Sequence, residues 1–262
     1  MEIVDSVFGF IEKLPIPGWL LVVVFFGFLL TMLVFHLSLG VRRDSMWKRA
    51  ASIISFEHRD EDTSLARNFE FLDSLSDVDG FQTRSLDVLT GEWAGRKTWL
   101  LDHSSGSKQK KFRTVCIMRS NSIRIPHFHL YQRVGHRLLQ PSRPEIVFQE
   151  DKDFSHIFDL SAENPEVVRN LFVPWVREHF KRLFNRCREI ERTNNNWLTI
   201  LMLRVSGAIG VFEVEASGDT LIIHLSRIIN PQDATDLLSM TAETMEILQA
   251  EQKSTEFVNT DQ

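Results

Sequence analysis

The longest apolar run of the chain lies near its N-terminus and reads WLLVVVFFGFLLTMLVFHLSLGV, residues 19–41. It contains no Asp, Glu, Lys or Arg. At about 1.5 Å per residue, a helix of this length crosses a hydrocarbon core of about 30 Å with some tilt, and it satisfies its backbone N–H and C=O groups internally. The sequence therefore predicts a membrane-spanning helix over residues 18–41, through which the chain contacts the lipid bilayer.

The segment before this run, residues 1–17, lacks the features of a cleaved signal peptide. Such a peptide begins with basic residues and has a shorter apolar stretch, whereas here three acidic side chains stand against Lys13 alone. We therefore expect an uncleaved anchor with a short non-cytoplasmic lead. The apolar positions of the lead fit a short amphipathic segment on the outer membrane surface. They fit equally well a frayed lead without such a segment.

Basic residues follow the apolar run and set its expected orientation. Arg42, Arg43, Lys48 and Arg49 are offset only by Asp44. Because the cytoplasmic flanks of membrane helices are enriched in Lys and Arg, we predict a single-pass protein with its N-terminus outside and its C-terminal domain in the cytoplasm. The four cations can also contact anionic lipid headgroups at the inner surface.

Beyond a basic juxtamembrane linker (42–62), alternating apolar and polar positions predict a mostly antiparallel sheet. The segments are rich in β-branched residues and are separated by tight polar turns, which is the pattern of a meander. A short helix is expected over 65–75, and strands over 83–93, 98–102, 112–118, 122–132, 145–149, 194–205, 207–216 and 219–226. We expect an α+β fold, with one soluble domain over 63–250 and a disordered tail over 251–262.

Helical spacing predicts two long helices that pack against this sheet. The first covers residues 165–191, is capped by Asn164, and should be kinked or split near Phe172 because Pro174 removes a backbone hydrogen bond. Its apolar stripe consists of Val168, Leu171, Phe172, Trp175, Val176, Phe180, Leu183, Phe184 and Cys187. The second begins at Asn230-Pro231 and carries an apolar stripe as far as Leu248.

The other face of the helix predicted over 165–191 is basic. Its candidate lipid-facing or partner-facing residues are Arg177, Lys181, Arg182 and Arg186. Apposition to the anionic inner leaflet is the functional interpretation of this face. Interspersed glutamates such as Glu178 dilute the charge, so a merely solvated face is the alternative.

Composition narrows the class of function. The 262 residues carry a net charge of −5, with a pI of about 6.0, which disfavours binding to nucleic acid. The two cysteines, Cys116 and Cys187, lie in apolar surroundings and indicate buried thiols rather than a disulfide. The sequence contains no P-loop and no G-x-S-x-G motif, so it predicts no cofactor and no catalytic residue. It leaves the oligomeric state open.

Two pairs of side chains are the remaining candidates for chemistry. His127 and His129 lie two residues apart, so they share one face of an extended strand and could hold a metal. We expect instead that the apolar residues beside them are buried and that the histidines point to solvent or to a neighbouring segment. Glu213 and Glu215 also share a face and could act as acid and base. The alternation around them predicts a plain strand with one wet face.

Five segments carry a resemblance to a protein family. They are VLTGEWAGRKTWLLD (88–102), FRTVCIM (112–118), IPHFHL (125–130), DFSHIFDLSAENPEVVRNLF (153–172) and VFEVEASGDTLIIHL (211–225). In these segments, which are distributed over residues 63–248, the chain resembles a group of uncharacterised bacterial single-pass inner-membrane proteins. The resemblance implies a bacterial inner membrane and a cytoplasmic domain of unknown function, and it supplies no catalytic residues.

Two functional hypotheses follow from these patterns. The first is a membrane-anchored, non-enzymatic interaction module that binds a protein partner or the inner leaflet. The alternative is a membrane-bound hydrolase or transferase without a recognisable motif. A deep polar pocket with titratable groups of shifted pKa would favour the enzyme, whereas an exposed apolar or basic patch would favour the module. Because each catalytic motif sought is missing, the sequence favours the module.

Overall fold

The computed structural model describes residues 23, 25–27, 45–61, 65, 84–105, 111–133, 144–194, 212–226 and 231–260. The chain divides into two units, residues 1–45 and residues 46–262. In the first unit, residues 23 and 25–27 are helical, and the side chains of Val23, Phe25 and Phe26 are more than half exposed. The lead (1–17), most of the predicted span (18–41), and Arg42 and Arg43 lie outside the described residues. In the described part of the chain, no helix is long and apolar enough to span a membrane.

Nine strands of the described part of the second unit form one sheet. They are β1 (Glu57–Glu61), β2 (Arg84–Trp93), β3 (Arg96–Ser105), β4 (Lys111–Arg119), β5 (Ile125–Gln132), β6 (Glu145–Ile146), β7 (Phe158–Ala162), β8 (Glu213–Gly218) and β9 (Thr220–Ser226). Their order across the sheet is β1-β2-β3-β4-β9-β8-β5-β7-β6, and each neighbouring pair is antiparallel. The β8–β9 hairpin thus lies between β4 and β5. The predicted α+β class with an antiparallel sheet is confirmed.

Two glycine turns fix hairpins where the sequence predicted them. Gly95, with φ +72°, links β2 to β3, and Gly218, with φ +59°, ends β8 before β9. A positive φ of this size is inexpensive only for a residue without a Cβ. The predicted helix over 65–75 and strand over 194–205 lie outside the described residues, except at Leu65 and Asn194.

In the described part of residues 45–262, five helices accompany the sheet, and the first of them begins one residue before the second unit. They are α1 (45–54), α2 (Lys152–Ile157), α3 (Pro165–Leu171), α4 (Pro174–Asn194) and α5 (Pro231–Thr260). The helix predicted over 165–191 is split, as Pro174 required, and the side chain of Asn164 accepts a hydrogen bond from the Val167 N–H at the start of α3. The prediction of a disordered tail over 251–262 is wrong, because α5 continues to Thr260 and Glu251 is buried.

The main core lies between the helices and one face of the sheet. Its centre is aromatic: the rings of Phe172 and Phe180 stack with centroids 5.2 Å apart, and Phe128 meets the Phe172 ring edge-on at 5.0 Å. The apolar stripe predicted for the helix at 165–191 is buried except at Trp175, which is 44% exposed. The predicted burial of Trp175 is therefore wrong. The helix is interrupted at residues 172–173, so the apolar stripe of α3 does not continue in phase into α4.

Helix α1 and strand β1 correct the predicted domain boundary. The segment 42–62 was expected to be a linker, but Trp47 of α1 is fully buried and its indole N–H donates to Oδ2 of Asp102 at 3.3 Å. β1 then pairs with β2 along its length. The compact unit therefore begins at Met46 rather than at residue 63.

Truncation tests this corrected boundary. A fragment that begins at residue 44 should fold, whereas one that begins at residue 62 should be destabilised by at least about 3–5 kcal/mol, since it loses the buried Trp47 and a whole strand. That loss is comparable to the total stability of a small domain. Urea unfolding followed by circular dichroism measures the difference. Equal unfolding midpoints for the two fragments would restore the boundary at residue 63.

Candidate functional site: a polar network on the sheet

The face of the sheet opposite the main core is divided into an apolar part and a polar part. On β2, β3, β4 and β9 it carries a small apolar cluster that also includes Leu65, from outside these strands. The strand residues of the cluster are Val88, Trp99, Leu101, Val115, Ile117 and Ile222. On β9, β8 and β5 the same face carries ionisable side chains. Because residues two apart on a strand share a face, the alternation that buries Val214 and Phe128 in the main core directs their neighbours into this polar part.

The register of β5 and β8 creates two histidine–glutamate pairs. Tyr131 lies opposite Glu213 and His129 lies opposite Glu215, so each histidine reaches its partner diagonally. Nε2 of His129 is 2.6 Å from Oε1 of Glu213, and Nε2 of His127 is 3.0 Å from Oε1 of Glu215. Diagonal neighbours across an antiparallel pair are within reach of long side chains. Of the two orientations expected for the histidines, the structure shows contact with a neighbouring segment.

Further charged groups complete this network. Nη1 of Arg113 on β4 is 2.5 Å from Oε2 of Glu213, and His224 on β9 lies directly opposite Glu213 in the sheet. On the other side, Nδ1 of His127 is 3.3 Å from Oε1 of Glu163. We call these residues the polar network: Arg113, His127, His129, Glu163, Glu213, Glu215 and His224.

Burial and charge act in opposite directions on Glu213. Burial alone would raise the pKa of its carboxyl group, but His224, His129 and Arg113 outweigh burial and hold the pKa well below its ordinary value. The carboxylate is therefore ionised at neutral pH. Glu213 and Glu215 are both buried, so the expectation of a wet strand face is wrong. Among the described residues, no group of three or more His, Cys, Asp or Glu is placed to hold a metal.

Sequence reasoning missed three members of the polar network, Arg113, Glu163 and His224. Arg113 and His224 are ionisable residues in the segments FRTVCIM and TLIIHLS, whose other side chains are apolar, hydroxyl or thiol. That pattern is the signal that could have found them, because an ionisable group on a buried strand needs a partner. Their partner Glu213 lies far away in the sequence from Arg113, so the pairing itself is a result of the sheet topology.

The predicted basic face of α4 is largely neutralised within the domain. Arg177 is buried, lies over the ring of Phe148 with its guanidinium carbon 4.4 Å from the centroid, and donates to the Phe172 carbonyl at 2.8 Å and to Asp151 at 3.1 Å. Nζ of Lys181 is 2.9 Å from Glu178. Arg177 thus fastens α4 to the segment that precedes α2.

The remaining predicted basic residues are at the surface. Arg186 forms an ion pair of 2.8 Å with Glu243 of α5, whereas Arg182 is exposed on α4. Lys48 and Arg49 are exposed on α1. The structure therefore brings Arg177 and Lys181 together around Asp151 and leaves the cations of α1 on a separate element.

Comparisons with known proteins give little beyond this geometry. No family model matches the chain, and no curated protein matches it. Among solved structures, the mycobacterial trehalose monomycolate transport factor A, TtfA, is similar over 81% of this chain and 93% of its own chain, with 10% sequence identity and a TM-score of 0.47. A likeness at this level supports no functional inference.

Two further buried titratable groups are structural. Burial raises the pKa of the Cys116 thiol to about 12, so it is not a nucleophile at neutral pH. His179 lies between α4 and α5, with Nε2 2.9 Å from Oγ1 of Thr244. Burial lowers the pKa of His179 to about 4, and the nearby cations Arg182 and Arg186 act in the same direction. The imidazole is therefore neutral at pH 7.

This histidine should make the domain sensitive to mild acid. Because an unfolded histidine binds its proton near pH 6.5 and His179 does so only near pH 4, the unfolded state takes up more protons between these values. Stability should fall by about 3 kcal/mol as the pH drops from 7 to 4. Urea unfolding at several pH values measures this loss. In His179→Gln the slope over this range should be much smaller; an unchanged slope would assign the effect to other groups.

Proposed function

We propose that this chain is a membrane-anchored, non-enzymatic interaction module, and that its domain binds a protein partner at the cytoplasmic face of a bacterial inner membrane. The uncharged run over 19–41, followed at once by Arg42 and Arg43, supports the anchor and its orientation. The high exposure of Val23, Phe25 and Phe26 is consistent with a surface that lipid would cover.

The polar network supports a non-enzymatic role. A general base must reach a substrate proton, whereas Nε2 of His127 and Nε2 of His129 each lie within hydrogen-bond distance of a buried glutamate. The Glu213 carboxylate is engaged on both oxygens, by His129 and by Arg113. This arrangement links β4, β5 and β8 through the carboxylates of Glu213 and Glu215.

The observation that carries the proposal is the position of Trp175. Its ring is 44% exposed, while its indole N–H donates to Oε2 of Glu251 at 3.0 Å. The side chain is therefore held in one place at the surface, where Trp is the residue type most enriched in the energetic centres of protein interfaces. Val167, on the preceding helix α3, is 47% exposed. We propose that Trp175 and Val167 belong to one binding surface, and we call it the Trp175 surface.

Photo-crosslinking in native membranes tests the proposal. The full chain should carry a photo-crosslinking amino acid at Val167 or, as a control, at Ser239, which is exposed on α5. Ser239 precedes Glu251 by twelve residues, which is about 18 Å along the helix. We expect a discrete protein adduct from position 167 and none from 239. Trp175→Ala should weaken the adduct at least about tenfold, the effect of losing an interface hot spot.

Two outcomes would contradict the proposal. Equal adducts from positions 167 and 239, or an adduct unaffected by Trp175→Ala, would mean that the Trp175 surface does not bind a partner. An adduct to lipid rather than to protein would favour the inner leaflet as the ligand of this surface.

A further inference from the structure

The inner side of helix α1 is a fixed part of the domain. Its buried residues are Met46, Trp47, Ala50, Ala51 and Ile54. The indole N–H of Trp47 donates a hydrogen bond to Asp102 of β3. Just beyond the end of the helix, the Phe56 N–H donates to the Ala51 carbonyl at 3.0 Å. The Phe56 ring then lies so close to Gly91 of β2 that no Cβ would fit there. Helix α1 therefore cannot leave the sheet without disrupting the core.

The outer side of α1 is basic with one large apolar residue. Lys48, Arg49, Ser52 and Ile53 are exposed, and their spacing of three and four residues places them on one face. Ile53 is 54% exposed. The segment 45–54 contains two cations and no acidic residue. We call Lys48, Arg49 and Ile53 the outer face of α1.

Chain length limits how far this helix can be from the membrane. The predicted span ends at Val41, and only residues 42–44 separate it from the first residue of α1. Four extended steps cover at most about 14 Å. The Debye length at physiological salt is about 8 Å, so the start of α1 lies close to the range over which anionic headgroups attract cations. Two of the three connecting residues, Arg42 and Arg43, are themselves cations.

We propose that the outer face of α1 rests on the anionic inner leaflet, with Lys48 and Arg49 at the phosphates and Ile53 at the headgroup–acyl boundary. Basic side chains and an adjacent apolar one are the combination that an anionic interface binds. Because α1 is built into the core, this contact fixes the orientation of the whole domain instead of leaving it on a flexible tether. The inference rests on the anchor of the proposed function.

Depth-dependent quenching in nanodiscs tests the contact. The full chain is placed in nanodiscs of phosphatidylcholine and phosphatidylglycerol that contain a headgroup-linked quencher, with a fluorophore on Ile53→Cys. The control label is on Lys152→Cys, at an exposed position of α2. Helix α2 packs on β7, which lies five strands, or about 24 Å, across the sheet from β3. Both native cysteines are buried. We expect several-fold stronger quenching at position 53 than at position 152.

Charge reversal supplies the matched comparison. The pair Lys48→Glu and Arg49→Glu should bring quenching at position 53 down to the level of the control, because each basic residue near an anionic surface changes the surface partition about fivefold. Arg182→Glu, which reverses an exposed cation on α4, should leave it unchanged. If the chain floats with the lipid but positions 53 and 152 are quenched equally, the contact is overturned and the anchor stands. If the chain does not float, the anchor itself is wrong.

Discussion

Replacing Phe180 with Ala should lower the free energy of unfolding by about 3–5 kcal/mol. The Phe180 ring is fully buried, stacks on Phe172, and has the Phe128 ring 6.3 Å away at its edge. Truncation would therefore leave a cavity at the point where α3, α4 and β5 meet, and the surrounding aromatic rings could fill it only by giving up their own contacts. Urea unfolding monitored by circular dichroism gives the size of the loss.

Trp175→Ala is the matched control for this substitution, since it removes a larger side chain from the same helix. Trp175 is 44% exposed, and its indole N–H donates a hydrogen bond to Glu251. Its loss should cost about 1–2 kcal/mol from partial burial and that hydrogen bond. A cost for Trp175→Ala as large as that for Phe180→Ala would mean that Trp175 belongs to the core and is not available to a partner.

Glu213→Ala should be as damaging as the loss of a core aromatic residue, at about 3–5 kcal/mol. The substitution removes an acceptor of both Arg113 and His129, and it leaves the Arg113 guanidinium and the His129 imidazole without the Glu213 carboxylate on a largely buried sheet face. The pKa of Glu213 is held well below its ordinary value. Its stabilising contribution is therefore present above the pKa of an unfolded glutamate and is lost only when the pH falls through the lower, folded value.

Glu178→Ala serves as the control for Glu213→Ala, because it removes a carboxylate of the same type from an exposed ion pair with Lys181. Exposed pairs contribute about 1 kcal/mol or less. Chemical denaturation of both variants at pH 7 measures the contrast. Equal and small losses would show that Glu213 is solvated in solution and that the polar network does not hold the strands together.

The elements set by local signals were predictable from the sequence. Glycines at the hairpin turns, alternating strands, and Pro174 at the start of a new helix each act on their immediate neighbours, so the pattern alone determines the outcome. The α+β class followed from these elements. Trp175 shows the limit of this approach, because the position of one residue on a stripe depends on the phase of the helix after the break at residues 172–173.

The polar network and the true start of the domain could not be predicted, because both depend on contacts between distant residues. The alternation around Glu213 is the same for a wet strand face and for a buried face with partners, and only the sheet order brings Arg113 and His129 to it. Similarly, helix α1, of nearly three turns, follows the uncharged run and its charged flank (42–44) and precedes a polar segment. Its apolar residues recur at helical spacing, but only the contact of Trp47 with Asp102 of β3 shows that they pack against the sheet.

Membrane association and sidedness together test the central claim, that this is an anchored module with its domain in the cytoplasm. The full chain should remain in the membrane pellet after alkaline extraction, because the uncharged run over 19–41 would have to leave the hydrocarbon core to be released. Protease should cleave the domain in inverted membrane vesicles and not in intact spheroplasts. Recovery of the chain in the alkaline supernatant, or cleavage of the domain in intact spheroplasts, would contradict the account.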